Sequence, residues 1–426
     1  MWQTDSSLRT QSQLNTAAPQ ILHIDLNSCF ATVEQQARPL LRGRPLAVTN
    51  RLTKNACVIA ASYEAKGYGV KVGMRLGDAK LLAPGLVTLE TDPPKYHYAY
   101  QKLVGIMRSY SPNISMKSID EGIIDFNGTR QVNKQSLEAI GYEIKARLKE
   151  EVGSWMKCNV GIAPNRFLAK TAASLHKPDG LDIINHANLR SVLSTLELTD
   201  LTGIAERNQA RLNAAGIYTP LQFLDARPEF LHGRVFRSVC GEDWHQRLRG
   251  WEVDDHEWST KTIGRQFVMD DYSAPEEKVR GRLAHLCEST GLKLRYKGFA
   301  ARGLSIHIRY KGGDFWHTRK AFKSSFFTNA EIYRRATLLF NQHPRLDYIV
   351  EIGVSCYLLE PSIANQMSIL EEVNKEVDLT EAVDDINRRF GNYTITFAAS
   401  AGAKDKIKQK IPFGTTRYFE LLVQQA

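Results

Sequence analysis

Short apolar runs and helically spaced apolar residues lay out the first half of the chain. The run Ile21-Leu22-His23-Ile24 reads as a strand that stops at Asp25, and the segment 27–38 that follows can be helical until Pro39 ends it. A strand end thus presents a carboxylate. A second pair of strands is expected at Lys117-Ser118-Ile119 and Ile123-Ile124-Asp125-Phe126, with Asp120, Glu121 and Gly122 forming an acidic hairpin tip between them. Over 136–153, Leu137, Ile140, Ile144 and Leu148 recur at helical spacing, 158–163 returns as a strand, and 165–175 forms another helix stopped by the turn Lys177-Pro178-Asp179-Gly180. This loose alternation up to about residue 185 predicts an α/β or α+β core.

The pattern then changes. Residues 189–223 give short helices separated by Gly203 and Gly216, with Leu201, Ile204, Leu212 and Ile217 available for a small core. The acidic stretch 251–258, bounded by Trp251 and Trp258, reads as a linker. Beyond it, β-rich runs such as 303–310 alternate with helices in what should be a separate α/β domain. No internal repeat is visible.

At 426 residues the chain is long enough for about three domains, at roughly 150 residues each. Its apolar share of 43% and charged share of 24% are ordinary for a globular protein and exclude global disorder. No run is long and apolar enough to span a bilayer, and the first twenty residues lack the layout of a signal peptide, so no membrane role is expected and the location should be cytoplasmic. The six cysteines are scattered without a C-x-x-C pair, which favours buried free thiols over zinc or disulfides. Net charge is +10, and between Lys261 and Lys323 fourteen Lys or Arg face six acids, which points to a polyanionic partner.

Asp25 at one strand end and Asp120 with Glu121 at a hairpin tip would bring three carboxylates together if the two elements are neighbours in a sheet. Such hard oxygen ligands suit Mg²⁺, which retains waters and accepts substrate phosphates, and two ions can clamp an in-line phosphoryl transfer. Adjacent side chains of a regular strand face opposite ways, so Asp120 and Glu121 share a site only if the backbone turns there. Lys66 and Lys177 are cations on nearby elements, and Arg166 and Lys170 lie on the second helix. The Gly203 turn could aim backbone amides at a phosphate. Taken singly, each has an ordinary reading: a solvated turn, a surface cation, a helical hairpin.

Taken together, these segments resemble the Y-family, or lesion-bypass, DNA polymerases of the DNA polymerase IV and UmuC type, from about Ile21 to Gly414. The resemblance is carried by Asp25-Leu26-Asn27-Ser28-Cys29-Phe30-Ala31, Ala61-Ser62-Tyr63-Glu64-Ala65, Ser118-Ile119-Asp120-Glu121, Val160-Gly161-Ile162-Ala163-Pro164-Asn165 with Lys170, and Lys177-Pro178-Asp179-Gly180. It implies an α+β multidomain right-hand fold: a disordered tail over 1–20, a palm over 21–32 and 96–185, fingers over 33–95, a helical thumb over 186–255 and a little finger over 256–415.

The same resemblance implies that Asp25, Asp120 and Glu121, with the Leu26 carbonyl, hold two Mg²⁺ ions. Tyr63, Lys66 and Lys177 would contact the triphosphate of a dNTP, and Phe30 would exclude a ribose 2′-hydroxyl. Lys66 stands where relatives commonly have Arg, and Cys29 where an aromatic is frequent. Primer-template DNA would be gripped by Gly203 and Gly216 in the thumb and by Lys261, Arg265, Arg302 and Arg309 in the little finger. Gln366, Ile369 and Leu370 resemble a peptide that binds the sliding clamp, and accessory subunits are left open. A nucleotide cyclase would use similar carboxylates but needs no DNA grip of 200 residues. A non-catalytic DNA scaffold would not need all three acids.

Overall fold

The computed structural model describes residues 13–129, 135–256, 259–269, 274–362, 371–391 and 393–401. They fall into two compact units, one over Met1–His256 and one beginning at Glu257. The first holds eight strands: β1 (Ile21–Leu26), β2 (Leu46–Thr49), β3 (Val58–Ala61), β4 (Val87–Glu90), β5 (Ile114–Met116), β6 (Glu121–Asp125), β7 (Cys158–Ala163) and β8 (Leu181–Ile183).

Five of these form a sheet in the order β5-β6-β1-β7-β8, with β1 antiparallel to both its neighbours. Side chains alternate across β1. Leu22, Ile24 and Leu26 enter a core built with the helices Pro93–Arg108 and Leu137–Glu151. Ile21 joins a core on the other side, with Ile123, Ala163 and the helix Arg166–Leu175. His23 and Asp25, in step with Ile21, therefore share the face of that last helix.

Local signals explain the helix starts. Ser136 accepts the amide of Ala139 at 3.2 Å, and Asn165 that of Leu168 at 2.8 Å, each a side-chain cap. Gly161 of β7 lets the helix Arg166–Leu175 lie flush on the sheet, since a Cβ there would stand 2.0 Å from the Ala169 carbonyl oxygen.

The expected acidic hairpin forms about three residues out of place. Its first strand is Ile114–Met116, the turn takes Lys117 to Asp120, and Glu121 already belongs to β6. Gly122 lies in the strand rather than the turn, packed against the side-chain ends of Met116 and Met107.

Strands β3-β2-β4 make a smaller sheet. Leu46, Val48, Ile59 and Ala60 face the main core, while Ala47, Val58, Ala61, Ala65, Val70, Ala79 and Ala83 form a separate core of small side chains. The short helices after residue 188 pack Leu201, Ile204, Leu212 and Ile217 with Phe223 and Trp244, continuous with the sheet core at Ile21 and Phe167 rather than a small core of their own. Gly203 and Gly216 both have positive φ, +97° and +83°, where other residues would be strained.

Residues 13–20 depart from the expected disordered tail over 1–20. Asn15 donates its amide to the Arg249 carbonyl at 2.9 Å and its side chain to that of Gly250 at 3.0 Å. Trp251 donates to the Gln13 carbonyl, and Leu14 packs on the helical core. A polar segment is thus held by backbone bonds that no hydrophobic pattern announces.

The second unit is a four-stranded antiparallel sheet in the order β11-β10-β12-β9, from β9 (Thr262–Val268), β10 (Phe299–Tyr310), β11 (Phe315–Phe326) and β12 (Ile349–Pro361). Leu304, Ile306 and Ile308 of β10 face the helices Glu276–Tyr296 and Asn329–Phe340 while His307 and Arg309 face away, and a register shift between Ala301 and Gly303 reverses the alternation, so that Ala301 enters the core and Arg302 is exposed. Arg295 pins the helix Glu371–Phe390 through Asp384, at 2.6 and 2.8 Å. Of the cysteines, Cys57 and Cys240 are exposed, contrary to a uniform set of buried thiols. Among the described residues no helix is long and apolar enough to cross a membrane.

Candidate active site

Asp25 and Glu121 are direct cross-strand partners at the end of β1 and β6. Asp120 lies just outside the strand, where its carbonyl accepts the Leu26 amide at 2.8 Å. The turn is set by Ser118, whose hydroxyl bonds the Asp120 carboxylate and accepts the Glu121 amide at 3.1 Å. The break in alternation that Asp120 and Glu121 require is therefore made by a Ser-anchored turn.

These acids form one wall of a cleft of about 400 Å³ that Leu26, Phe30, Tyr63, Lys66 and Lys177 also line. All eight residues assigned from the sequence to the metals or the dNTP meet there. Lys177 pairs with Asp25 at 2.5 Å, and Lys66 donates to Ser28 at 2.7 Å while lying 4.6 Å from the Tyr63 ring centre. Phe30 stacks on Tyr96 at 4.4 Å.

Electrostatics follow from this crowding. Burial, and after it the charges of Asp25 and Glu121, push the Asp120 carboxyl above its usual range, against the Ser118 bond. Burial also works to raise Glu121, but His23 and Lys170 prevail and hold it at about 2. Burial and Asp25 push Tyr63 up to about 12, and burial with the Lys177 charge lowers Lys66. Among the described residues, no three acids, histidines or cysteines close on one point as a finished metal cage. Mg²⁺ fits all the same, because it takes few protein oxygens and completes its shell with water and phosphate. The mutual repulsion around Asp120 is what such a cation relieves.

Several residues that the sequence motifs contain or adjoin, but to which no role was given, prove to contribute. Lys170 holds both Glu121 oxygens, at 2.9 and 2.7 Å, and is no solvated cation. Arg166 likewise bridges Asp125 at 3.2 Å and Glu252 at 2.8 Å. Asn27 accepts the Asp179 amide at 2.8 Å and donates to Asn159 at 2.8 Å, which fixes the loop that carries Lys177. Ser28 adopts a left-handed conformation, φ 46°, at the start of the helix Cys29–Ala37. Their places in or beside the quoted motifs were the hint, but did not show which partners they bond.

Comparisons with known proteins identify the family. Models of the impB/mucB/samB family and of that family's C-terminal domain match residues 24–174 and 260–369. A DNA polymerase IV of Moorella thermoacetica is 33% identical over 388 residues, covering 89% of this chain and 96% of its own. The chain belongs to the Y family of DNA polymerases. Another relative, the DNA polymerase IV of Pelotomaculum thermopropionicum, is 32% identical, covering 89% of this chain and 95% of its own. A Y-family polymerase chimera built on Dbh shares the fold with a TM-score of 0.65 at 23% identity, over 80% of this chain and 98% of that one. The architecture is therefore the Y-family right hand of palm, fingers, thumb and little finger.

The residues assigned to DNA by Y-family resemblance are distributed unevenly. Gly203 lies beside Trp244 and accepts a bond from Asn208 at 2.9 Å, while Gly216 has open space around it. In the second unit Lys261 is exposed ahead of β9. Arg302 pairs with Glu360, and Arg309 with Glu351. Arg265 is half-buried. It is in step with the core residue Ile263 and lies near His285 and Tyr393 on the helix side, with its Nε buried and without a hydrogen bond. Gln366, Ile369 and Leu370 lie outside the described residues.

Proposed function

We propose that the cleft is where this template-directed DNA polymerase of the translesion type adds a deoxynucleotide to a primer 3′-end. The observation that carries this is the facing of three carboxylates by two lysines across one cleft of nucleotide size. The primer 3′-oxygen attacks the α-phosphorus, the new P–O bond replaces the bridge to the β-phosphate, and pyrophosphate leaves. Asp25, Asp120, Glu121 and the Leu26 carbonyl would hold two Mg²⁺ ions, which when bound neutralise charge on the attacking and leaving oxygens. Lys66 and Lys177 grip the triphosphate, Tyr63 borders it, and Phe30 lies beneath the sugar. The residues from 21–32 and 96–185 act as palm, 33–95 as fingers, 186–255 as thumb and 256–415 as little finger.

Primer-template DNA and dNTP are the substrates in this reading, and the enzyme works in the cytoplasm. Gln366, Ile369 and Leu370 recruit the sliding clamp, a reading that rests on their sequence alone. Primer extension past an abasic site, with Mg²⁺ and all four dNTPs, tests the whole proposal. Asp120→Asn should lower extension by about a thousandfold or more while the DNA affinity measured by anisotropy stays. Extension by that variant at the normal rate would refute the metal assignment.

A further inference from the structure

The outer face of the β9–β12 sheet carries part of its positive charge already committed to acids. Arg309 and Glu351 are direct cross-strand partners on β10 and β12. The Arg309 Nε and Nη2 donate to one Glu351 oxygen at 3.0 and 2.5 Å, while the other oxygen is 3.6 Å from the His307 ring. Toward the far end of the same two strands, Arg302 pairs with Glu360. Arg319, opposite Ser305 on β11, is exposed and has no ion pair among the described residues.

We propose that Glu351 and Glu360 are built-in competitors of DNA phosphate, which hold back the grip of the little finger on the duplex. This rests on the reading of that face as a DNA contact. The fold gains little from either pair, since exposed ion pairs contribute about 0–1 kcal/mol, and the Arg309 side chain is 49% exposed. The arginines are therefore free to exchange partners. Glu351 is less free to leave, its side chain being only 16% exposed, whereas Glu360 at 40% acts by its charge alone. The neighbour of Glu351, His307, lies so close over Gly353 that a Cβ there would stand 2.0 Å from the ring. When a phosphate takes Arg309, the Glu351 carboxylate stays beside it, unpaired and of like charge. The outcome is a surface that reads as basic in composition but binds DNA more weakly, and releases it sooner, than its count of arginines implies.

The test uses the full chain and a fluorescent primer-template duplex, with anisotropy from 50 to 300 mM salt. Glu351→Gln and Glu360→Gln, separately and together, should each bind about threefold tighter or more, with slower dissociation. Their log–log salt dependence should steepen by about 0.9 per relieved arginine. Arg309→Gln and Arg302→Gln should weaken binding. Glutamine variants that bind as the unmodified chain does, or more weakly, alongside arginine variants that lose affinity, would overturn the proposal and leave the DNA face standing. Arginine variants of unchanged affinity would overturn both, by removing that face from DNA. Glu360 is at the periphery, so its variant reports independently should Glu351→Gln disturb the sheet.

Discussion

Phe30 is held against the cleft from behind. Its ring stacks on Tyr96, whose hydroxyl donates to the fully buried Glu34 at 2.9 Å, and Glu34 is in turn neutralised by Lys95 and Arg38. A ring so packed cannot swing aside to admit an extra hydroxyl, and its removal leaves a space where the hydroxyl fits. Phe30→Ala should raise the efficiency of ribonucleotide relative to deoxynucleotide incorporation by about tenfold or more, measured in single turnovers. An unchanged ratio would take Phe30 out of sugar selection. The buried acid behind it escaped notice because Glu34 is far along the chain from the adjacent pair Lys95 and Tyr96 and stands at no recognisable spacing from it.

Elements with strong local signals were legible. The helix starts near Ser136 and Asn165, the helical spacing after Ser136 and the strand between were all readable because each depends on neighbours close in the chain. The hairpin register was not, because Lys117, Ser118 and Ile119 have strand-like composition but are spent on a turn that Ser118 closes through its side chain. Two substitutions probe the elements that place Lys170. Gly161→Ala would drive a methyl into the Ala169 and Ala173 backbone, and should cost about 3 kcal/mol or more in denaturant unfolding. Asn165→Asp keeps the helix cap but turns an NH₂ that donates to the Arg247 and Trp251 carbonyls into an acceptor. It should destabilise by about 2 kcal/mol, whereas an exposed cap would tolerate the change.

Each of the two units contains one buried histidine whose pKa is depressed to about 4, His245 in the first and His285 in the second. Burial is the main cause for both, followed by Arg249 beside His245 and Arg282 beside His285. An unfolded histidine takes up its proton near pH 6.5, so stability is full above that pH and falls as the pH drops toward 4. The slope approaches about 1.4 kcal/mol per pH unit for each unit of the fold, and urea midpoints at pH 7 and pH 5 would measure it. At this scale the sequence revealed the change in charge after Lys261 but not that Arg265 turns inward, since a count of cations carries no direction. The small sheet that borders the acidic cleft through Ile59, Ala60 and Ala61 has a consequence of another kind. Its outer core is made of alanine and valine methyls with one partly buried Met and Leu, and each methyl buried contributes only about 0.8 kcal/mol. Amide hydrogens of β2 to β4 should then exchange with deuterium through local opening well before those of the central sheet. A wall able to breathe on that timescale would let the cleft widen along Ile59, Ala60 and Ala61 while Asp25 and Glu121, paired across the central sheet, stay in register.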